Sequence, residues 1–378
     1  MKSFILNILL LAGLLLSLAS CVSEIFADQT ITGEDEWCNI DFSHKSYEQI
    51  EISTKATLDI TQESRVLNMF VFLFSEDGNR IYSRYFDKNN KRNSVNEVTN
   101  ADANCWFVTT EEDGYTYGTI RIKAPKVTNA TLYMIANLDE DMMNISSDLL
   151  NTITTVDEIE ALNVTLMQET TSRNGYFPMV ARLDGVAVNN TSINAGKALL
   201  ERLDTKITLN IKLAENQSLK SFIPSMCRIR NIPAGSRVVN VSSRADFEEA
   251  GYFDSEIIFD EQTTNSSGNV NGAVCSFYML ENRESKNLKN TVNRYHDRDK
   301  RIKNPDGTYN TADGMWLNAP ENATYLEIVG EIHMEVDTDE TGIQELIGEV
   351  VYFVHLGNFG KNINDYDVLR NTHYTYNI

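Results

Sequence analysis

Ile207, Leu209, Ile211 and Leu213 stand at every second position at the end of the run Leu199 to Leu213. This period of two constrains the fold more than any other feature, because alternation puts one set of side chains on each face of a pleated strand. Further upstream, "VLNMFVFLF" (Val66 to Phe74) is apolar almost throughout and too short for a typical buried helix. It reads as a strand covered on both faces or nearly so. Asp77-Gly78 then turns the chain into the alternating "RIYSRYF", giving a hairpin. "GTIRIK" (Gly118 to Lys123), "ATLYMIANL" (Ala130 to Leu138) and "GYFPMVARL" continue the pattern, with Pro178 marking an edge or a bulge. "MCRIRNIP", "EIIFD", "VCSFYML", "ATYLEIVGEIHMEV", "GEVVYFVHLG" and "NTHYTYNI" follow at fairly regular intervals. A helix signal occurs at "TVDEIEAL", where Thr155 and Glu158 form a capping box. Many short strands with turns between them predict an all-β protein of two tandem antiparallel β-sandwiches with one short helix. Val66 to Phe74 is expected in the first core and Val351 and Phe353 in the second, so Phe353→Asp is expected to unfold the second module.

A chain of 378 residues suits two domains once a leader is removed. The division expected is 1–20 for the leader, 21–55 for an N-terminal segment, 56–194 for the first sandwich and 195–378 for the second. A hydrophobic content of 42% fills cores of that size without covalent staples. Cys38, Cys105, Cys227 and Cys275 are therefore expected as buried thiols, although an exported chain permits disulfides in any of three connectivities. No C-x-x-C spacing supports a zinc or redox site. The formal net charge of -21 argues against a nucleic-acid partner and against lying flat on an anionic membrane.

The first residues carry an address. Lys2 precedes an apolar run, Phe4 to Ala19, shorter than the roughly 20 residues that span a bilayer. The run ends in small residues, as a signal peptide does. Leu18-Ala19-Ser20-Cys21 resembles the bacterial lipobox, an aliphatic residue and two small ones before a cysteine. The Cys21 thiol is needed there because it becomes a thioether to diacylglycerol, and the new N-terminus is then acylated. Two or three chains hold firmly where one holds weakly, at about 0.8 kcal/mol per buried CH₂. Cys21 is thus the expected lipidation site, and Glu24 just beyond it partly matches surface-export signals of Bacteroidetes lipoproteins. The expected location is the outer membrane, facing outward.

Motifs for chemistry are absent. In "DTDETG" (Asp337 to Gly342) the twelfth position of a calcium loop would be Gly348 rather than Glu, so a hairpin turn is expected. His44, His296, His333, His355 and His373 lack metal-ligand spacing. No nucleophile elbow, P-loop or dinucleotide fingerprint occurs, so no catalytic residue, cofactor or metal is expected. Arg283 to Lys303 is the one basic stretch, interrupted by Glu284, Asp297 and Asp299. A solvated loop is expected there ahead of a site for an acidic glycan. Trp37, Trp106 and Trp316 are read as core or interface residues rather than a sugar-stacking platform.

Three features together resemble the fimbrillin superfamily of Bacteroidales: the lipobox, a strand-rich module opening "RVLNMFVFLFSEDGN", and a second opening "LERLDTKITLNI". The second half is similar to a branch catalogued as a domain of unknown function in Bacteroidales surface lipoproteins. It matches through "SFYMLENR", "APENATYLEIVGE" and "YFVHLGNFGKNINDYDVLRNTHYTYNI". The likeness covers about residues 200–378 well and about 60–180 loosely. It implies transthyretin-like sandwiches and a non-enzymatic fimbrial subunit, anchor or accessory component serving adhesion. It also implies other fimbrial subunits as partners, joined by strand exchange, with the receptor unspecified. Fimbrillin stalk subunits are trimmed after a basic residue, commonly Arg, and the aligned candidate processing site is Lys55 in "STKATLD". "YEQIEIST" (Tyr47 to Thr54) is then the removable strand. Tyr374, Tyr376 and Ile378 alternate to one face of a final strand that stops where relatives usually continue, so either truncation would leave an edge strand short or the terminal strand differs. A different class of function, a surface glycan-binding lipoprotein of a carbohydrate-uptake system, would call for an outward aromatic platform.

Overall fold

The structure, a computed structural model, describes residues 35–44, 48–52, 63–94, 105–112, 115–173, 175, 177–190, 197–213, 219–239, 250–259, 262–265, 268, 270–310, 314–338 and 342–378. Nine strands form the first sheet. In spatial order they are β4 (Arg80–Phe86), β3 (Met69–Phe74), β8 (Val127–Ala136), β10 (Met179–Val188), β11 (Lys197–Arg202), β1 (Asp35–His44), β7 (Tyr115–Pro125), β6 (Trp106–Glu112) and β5 (Lys91–Arg92). The β10–β11 ladder is short, Met179 opposite Arg202 and Val180 opposite Glu201, and the two halves of the sheet face each other across it. Met69, Val71 and Leu73 of β3 pack there with Ile40 and Phe42 of β1 and Ile120 and Ile122 of β7, all fully buried. The opposite face of β3 carries Phe70, Phe72 and Phe74, which sit with Leu150, Ile153 and Ile159 from the helical connection. Both faces are covered, as an uninterrupted apolar strand requires.

The second unit stacks two sheets. One has the order β16 (Gln262–Thr264), β17 (Val270–Leu280), β12 (Asp204–Lys212), β20 (Thr372–Asn377) and β2 (Glu48–Ile52). The other runs β15 (Tyr252–Ile258), β13 (Leu219–Pro233), β18 (Tyr325–Thr338) and β19 (Gly342–His355). Ile207, Leu209, Phe277 and Tyr374 of the first meet Cys227, Ile229, Leu326 and Ile328 of the second. A two-stranded ladder, β9 (Asn163–Thr165) with β14 (Gly235–Arg237), ties the halves of the chain together. The all-β sandwich reading therefore holds.

Several expectations change. Four ladders are parallel: β1–β11, β2–β20, β12–β20 and β5–β6. Side-chain alternation is the same in parallel and antiparallel strands, so direction was not legible. Leu199 to Leu213 is two strands, β11 in the first sheet and β12 in the second, and the chain crosses at Leu203. Pro178 lies just before β10, an interior strand, where its missing N–H costs no ladder bond. β20 is no edge, since β12 and β2 flank it. The helix at Val156–Glu160 has its capping box, and Ser147–Asn151 and Tyr295–Arg298 add two short helices.

Val351 and Phe353 do not enter the second core. Val351 is 40% exposed, while Val350 and Val354, on the other face of β19, pack against that core. Phe353 instead joins Trp316, Met315, Ala319, Ala323 and Tyr366, which the connections flanking β18 and β19 lay over the outer face of that hairpin. Both faces of "EVVYFVH" are apolar, so the period of two could not say which one faces the core. Phe353→Asp would perturb this outer cluster rather than the space between the sheets.

Candidate assembly site

The N-terminal segment supplies one strand to each unit. β1 lies between β7, antiparallel from Asp35–Pro125 to Ser43–Tyr117, and β11, parallel from Asp41–Lys197 onward. Its inward side chains Cys38, Ile40 and Phe42 are fully buried. Gly118 makes room for Phe42: a Cβ there would lie 2.2 Å from Phe42 Cζ and 2.5 Å from the Val108 carbonyl. On the outer face the Trp37 ring lies 4.1 Å from the Arg121 guanidinium, and Thr119 Oγ1 donates to Asp41 Oδ1 at 2.8 Å. β2 then runs beside β20, with Glu48 opposite Thr372 and Ile52 opposite Tyr376. The expected removable strand is thus a sheet edge of the second unit.

The described chain resumes at Glu63, and Glu63 plugs a buried polar junction between the units. Lys206 Nζ pairs with its carboxylate, and Tyr278 Oη donates to the same oxygen at 2.6 Å. Arg202 Nε donates to the Glu63 carbonyl at 2.8 Å. Alongside, Arg173 Nε meets Asp204 Oδ1 at 2.7 Å, both side chains fully buried. Burial drives the Asp204 carboxyl above its ordinary range despite the neighbouring Arg173 charge, and it also drives the Tyr278 hydroxyl up, with Glu63 as acceptor. Such a junction orients elements, since charges out of water demand particular partners.

His373 of β20 borders this network, its Nε2 2.9 Å from Thr208 Oγ1. Burial, then the Lys206 charge, push its pKa from the ordinary 6.5 down to about 4. The fold favours the neutral ring, so its contribution is complete above about pH 6.5 and is lost as pH falls through about 4. The loss amounts to about 3 kcal/mol. Urea unfolding at pH 7 and pH 4 should show a smaller drop for His373→Gln than for the parent. Equal drops would remove His373 from the acid response.

Cys21 and Lys55, the two residues singled out from the sequence, lie outside the described residues. So do residues 339–341 of "DTDETG", which joins β18 to β19. Trp37 and Trp106 are in the first sheet and Trp316 under the outer cluster, so they form no common platform. Cys227 and Cys275 are free thiols, and burial raises the Cys275 pKa to about 12. Among the described residues no three His, Cys, Asp or Glu side chains converge as metal ligands. No described helix is long and apolar enough to cross a membrane. Sequence reading missed Glu63, Lys206 and Asp204; Lys206 and Asp204 are charges placed on the apolar pattern of β12, while Glu63 lies in a polar turn and carries no such signal.

The major fimbrial subunit protein (FimA) family model matches residues 48–213, and a model named DUF4906, a domain of unknown function, matches 277–378. Residues 48–213 thus match the fimbrillins. The FimA match begins at β2 and takes in the first unit through β12. The chain is similar to a fimbrial assembly protein from Parabacteroides distasonis, at 13% identity over 91% of this chain and 90% of that one, TM-score 0.42. A candidate cell adhesion protein from the same species aligns at 14% identity over 90% and 87%, TM-score 0.47. The fimbrial anchor protein Mfa2 from Porphyromonas gingivalis aligns at 12% over 65% and 72%, TM-score 0.32. No curated protein matches the chain.

Proposed function

We propose that this protein is a fimbrillin, a non-enzymatic, lipid-anchored outer-membrane component of a fimbria, working in adhesion through other fimbrial subunits. One observation carries the reading: a single N-terminal segment completes both sandwich units, β1 inside one sheet and β2 at the edge of another. Cleavage after Lys55 would separate both strands from the rest. The vacancy between β7 and β11 and the bared side of β20 would then offer main-chain donors and acceptors to a neighbour's strand, with pockets for alternate side chains setting register. Retained, the same segment leaves both sheets complete and joined to Cys21, as suits an anchor. The domain division proposed is a leader through residue 20, the lipidated segment 21–55, and two units that meet where the chain crosses from β11 to β12 at Leu203.

The test is to analyse N-termini of protein sheared from cells beside a Cys21→Ala variant. Loss of acyl labelling and of membrane association in the variant is the expected outcome, and a labelled, membrane-bound variant defeats the anchor. A sheared chain starting at Ala56 assigns the polymerising role. Intact chains starting at Cys21 leave the anchoring one.

A further inference from the structure

The basic stretch of the sequence folds into a cleft against the outer face of β19. Residues His296, Lys300, Arg301, Lys303, Tyr309 and Phe353 line it, around a volume of about 710 Å³. That is within the range of roughly 300–1,000 Å³ typical of small-ligand sites. Arg301 is held from behind: its Nη2 donates to the Asn310 carbonyl at 2.9 Å, and its guanidinium carbon lies 4.8 Å from the Tyr309 ring and 4.9 Å from the Phe353 ring. Its Nε is buried without a hydrogen-bond partner. Lys303 Nζ lies 5.0 Å from the same Tyr309 ring.

Charge makes the cleft unusual. The chain has 54 acidic and 33 basic residues, and several of its structured arginines, Arg173, Arg182, Arg230 and Arg370 among them, are matched to carboxylates. Arg301 and Lys303 have no carboxylate within ion-pair distance among the described residues. The nearby acids are engaged elsewhere. Asp299 accepts from the buried His355 ring at 2.6 Å, and Asp297 sits 3.3 Å from His296 and 3.8 Å from Lys300. Aromatic rings flank the guanidinium, and with Nη2 on the Asn310 carbonyl and Nε buried, Nη1 is the nitrogen left for an anion. Tyr309, 46% exposed, adds a ring face on which a sugar can stack.

We propose that this cleft binds a saccharide bearing a carboxylate. The net charge of -21 repels extended polyanions, so a short or terminal acidic sugar fits and a nucleic acid does not. The proposal deepens the adhesive reading by naming a ligand class, and rests on that reading only for its biological setting. For the test, the full chain is purified in detergent and titrated calorimetrically with sialyllactose and a galacturonate trisaccharide, then with lactose and inorganic sulfate. At least one carboxylated probe is expected to bind tenfold or more tightly than lactose, without displacement by equimolar sulfate. Lys303→Glu, at an exposed position, is expected to weaken that binding at least tenfold, and Arg301→Met to abolish it. Binding of neither carboxylated probe at millimolar concentration overturns the proposal. Equal binding of lactose, full competition by sulfate or an unaffected Lys303→Glu variant does so too. Each of these failures would leave lipidation at Cys21 and its own test untouched.

Discussion

Arg370→Met is expected to destabilise the protein by about 3 kcal/mol, the lower end of what breaking a buried ion pair costs. Arg370 and Glu281 are each 4% exposed. The guanidinium holds Glu281 Oε1 through Nε at 2.8 Å and also through Nη2. It donates further to the carbonyls of Val238 at 2.7 Å and Arg237 at 2.6 Å. One side chain thereby braces β14, half of the ladder between the two parts of the chain. Burial alone would raise the Glu281 pKa, and the Arg370 charge reverses that and holds it below the ordinary value. Methionine keeps the bulk but leaves a carboxylate without its main partner. Arg283 still donates to Oε2 at 3.0 Å, which keeps the expected loss at the lower end. Glu281→Gln combined with Arg370→Met should recover part of it. Chemical unfolding reads both, and a cost under about 1 kcal/mol for the single variant would show that the pair does not brace the fold.

Phe42→Ala is expected to cost about 3–4 kcal/mol and to loosen β1 before the rest of the sheet. Phe42 is fully buried, and Gly118 and the Val108 carbonyl close around its ring, so the void would have little means of collapsing. No hairpin joins β1 to either neighbour, because β7 and β11 are both distant in sequence. Its retention depends on ladder bonds and the three inward side chains Cys38, Ile40 and Phe42. Gly118→Val should act on the same strand from the opposite side. Limited trypsin digestion followed by mass analysis of the retained N-terminal segment tests the idea. Faster loss in both variants is expected, whereas loss at the parental rate would mean that other contacts hold β1.

The pattern of residues was enough to reveal strands, turns and the capped helix, because those depend on neighbours in sequence. Val66 to Phe74 advertised its double burial, and Asp77-Gly78 its turn, with Gly78 at φ +78°. Cys21 as a position of chemistry rests on the lipobox-like Leu18-Ala19-Ser20-Cys21, a linear signal, and Lys55 on the resemblance to fimbrillins. The same local logic marked Arg283 to Lys303 as basic, though the solvated loop expected there proved to wall a cleft.

Tertiary structure alone decided which strands are neighbours. β1 could enter the first sheet between β7 and β11, and β2 could cover β20, because ladder bonds are indifferent to sequence distance and direction. It decided as well which face of β19 looks inward, a choice the apolar run Val350 to Val354 left open until Trp316 covered the other side. Partners of buried charge belong to the same class. Glu63 with Lys206, and Glu281 with Arg370, are 143 and 89 residues apart in the chain. Periodicity records the burial of a residue but not the identity of what it meets, and only the packed chain supplies the second.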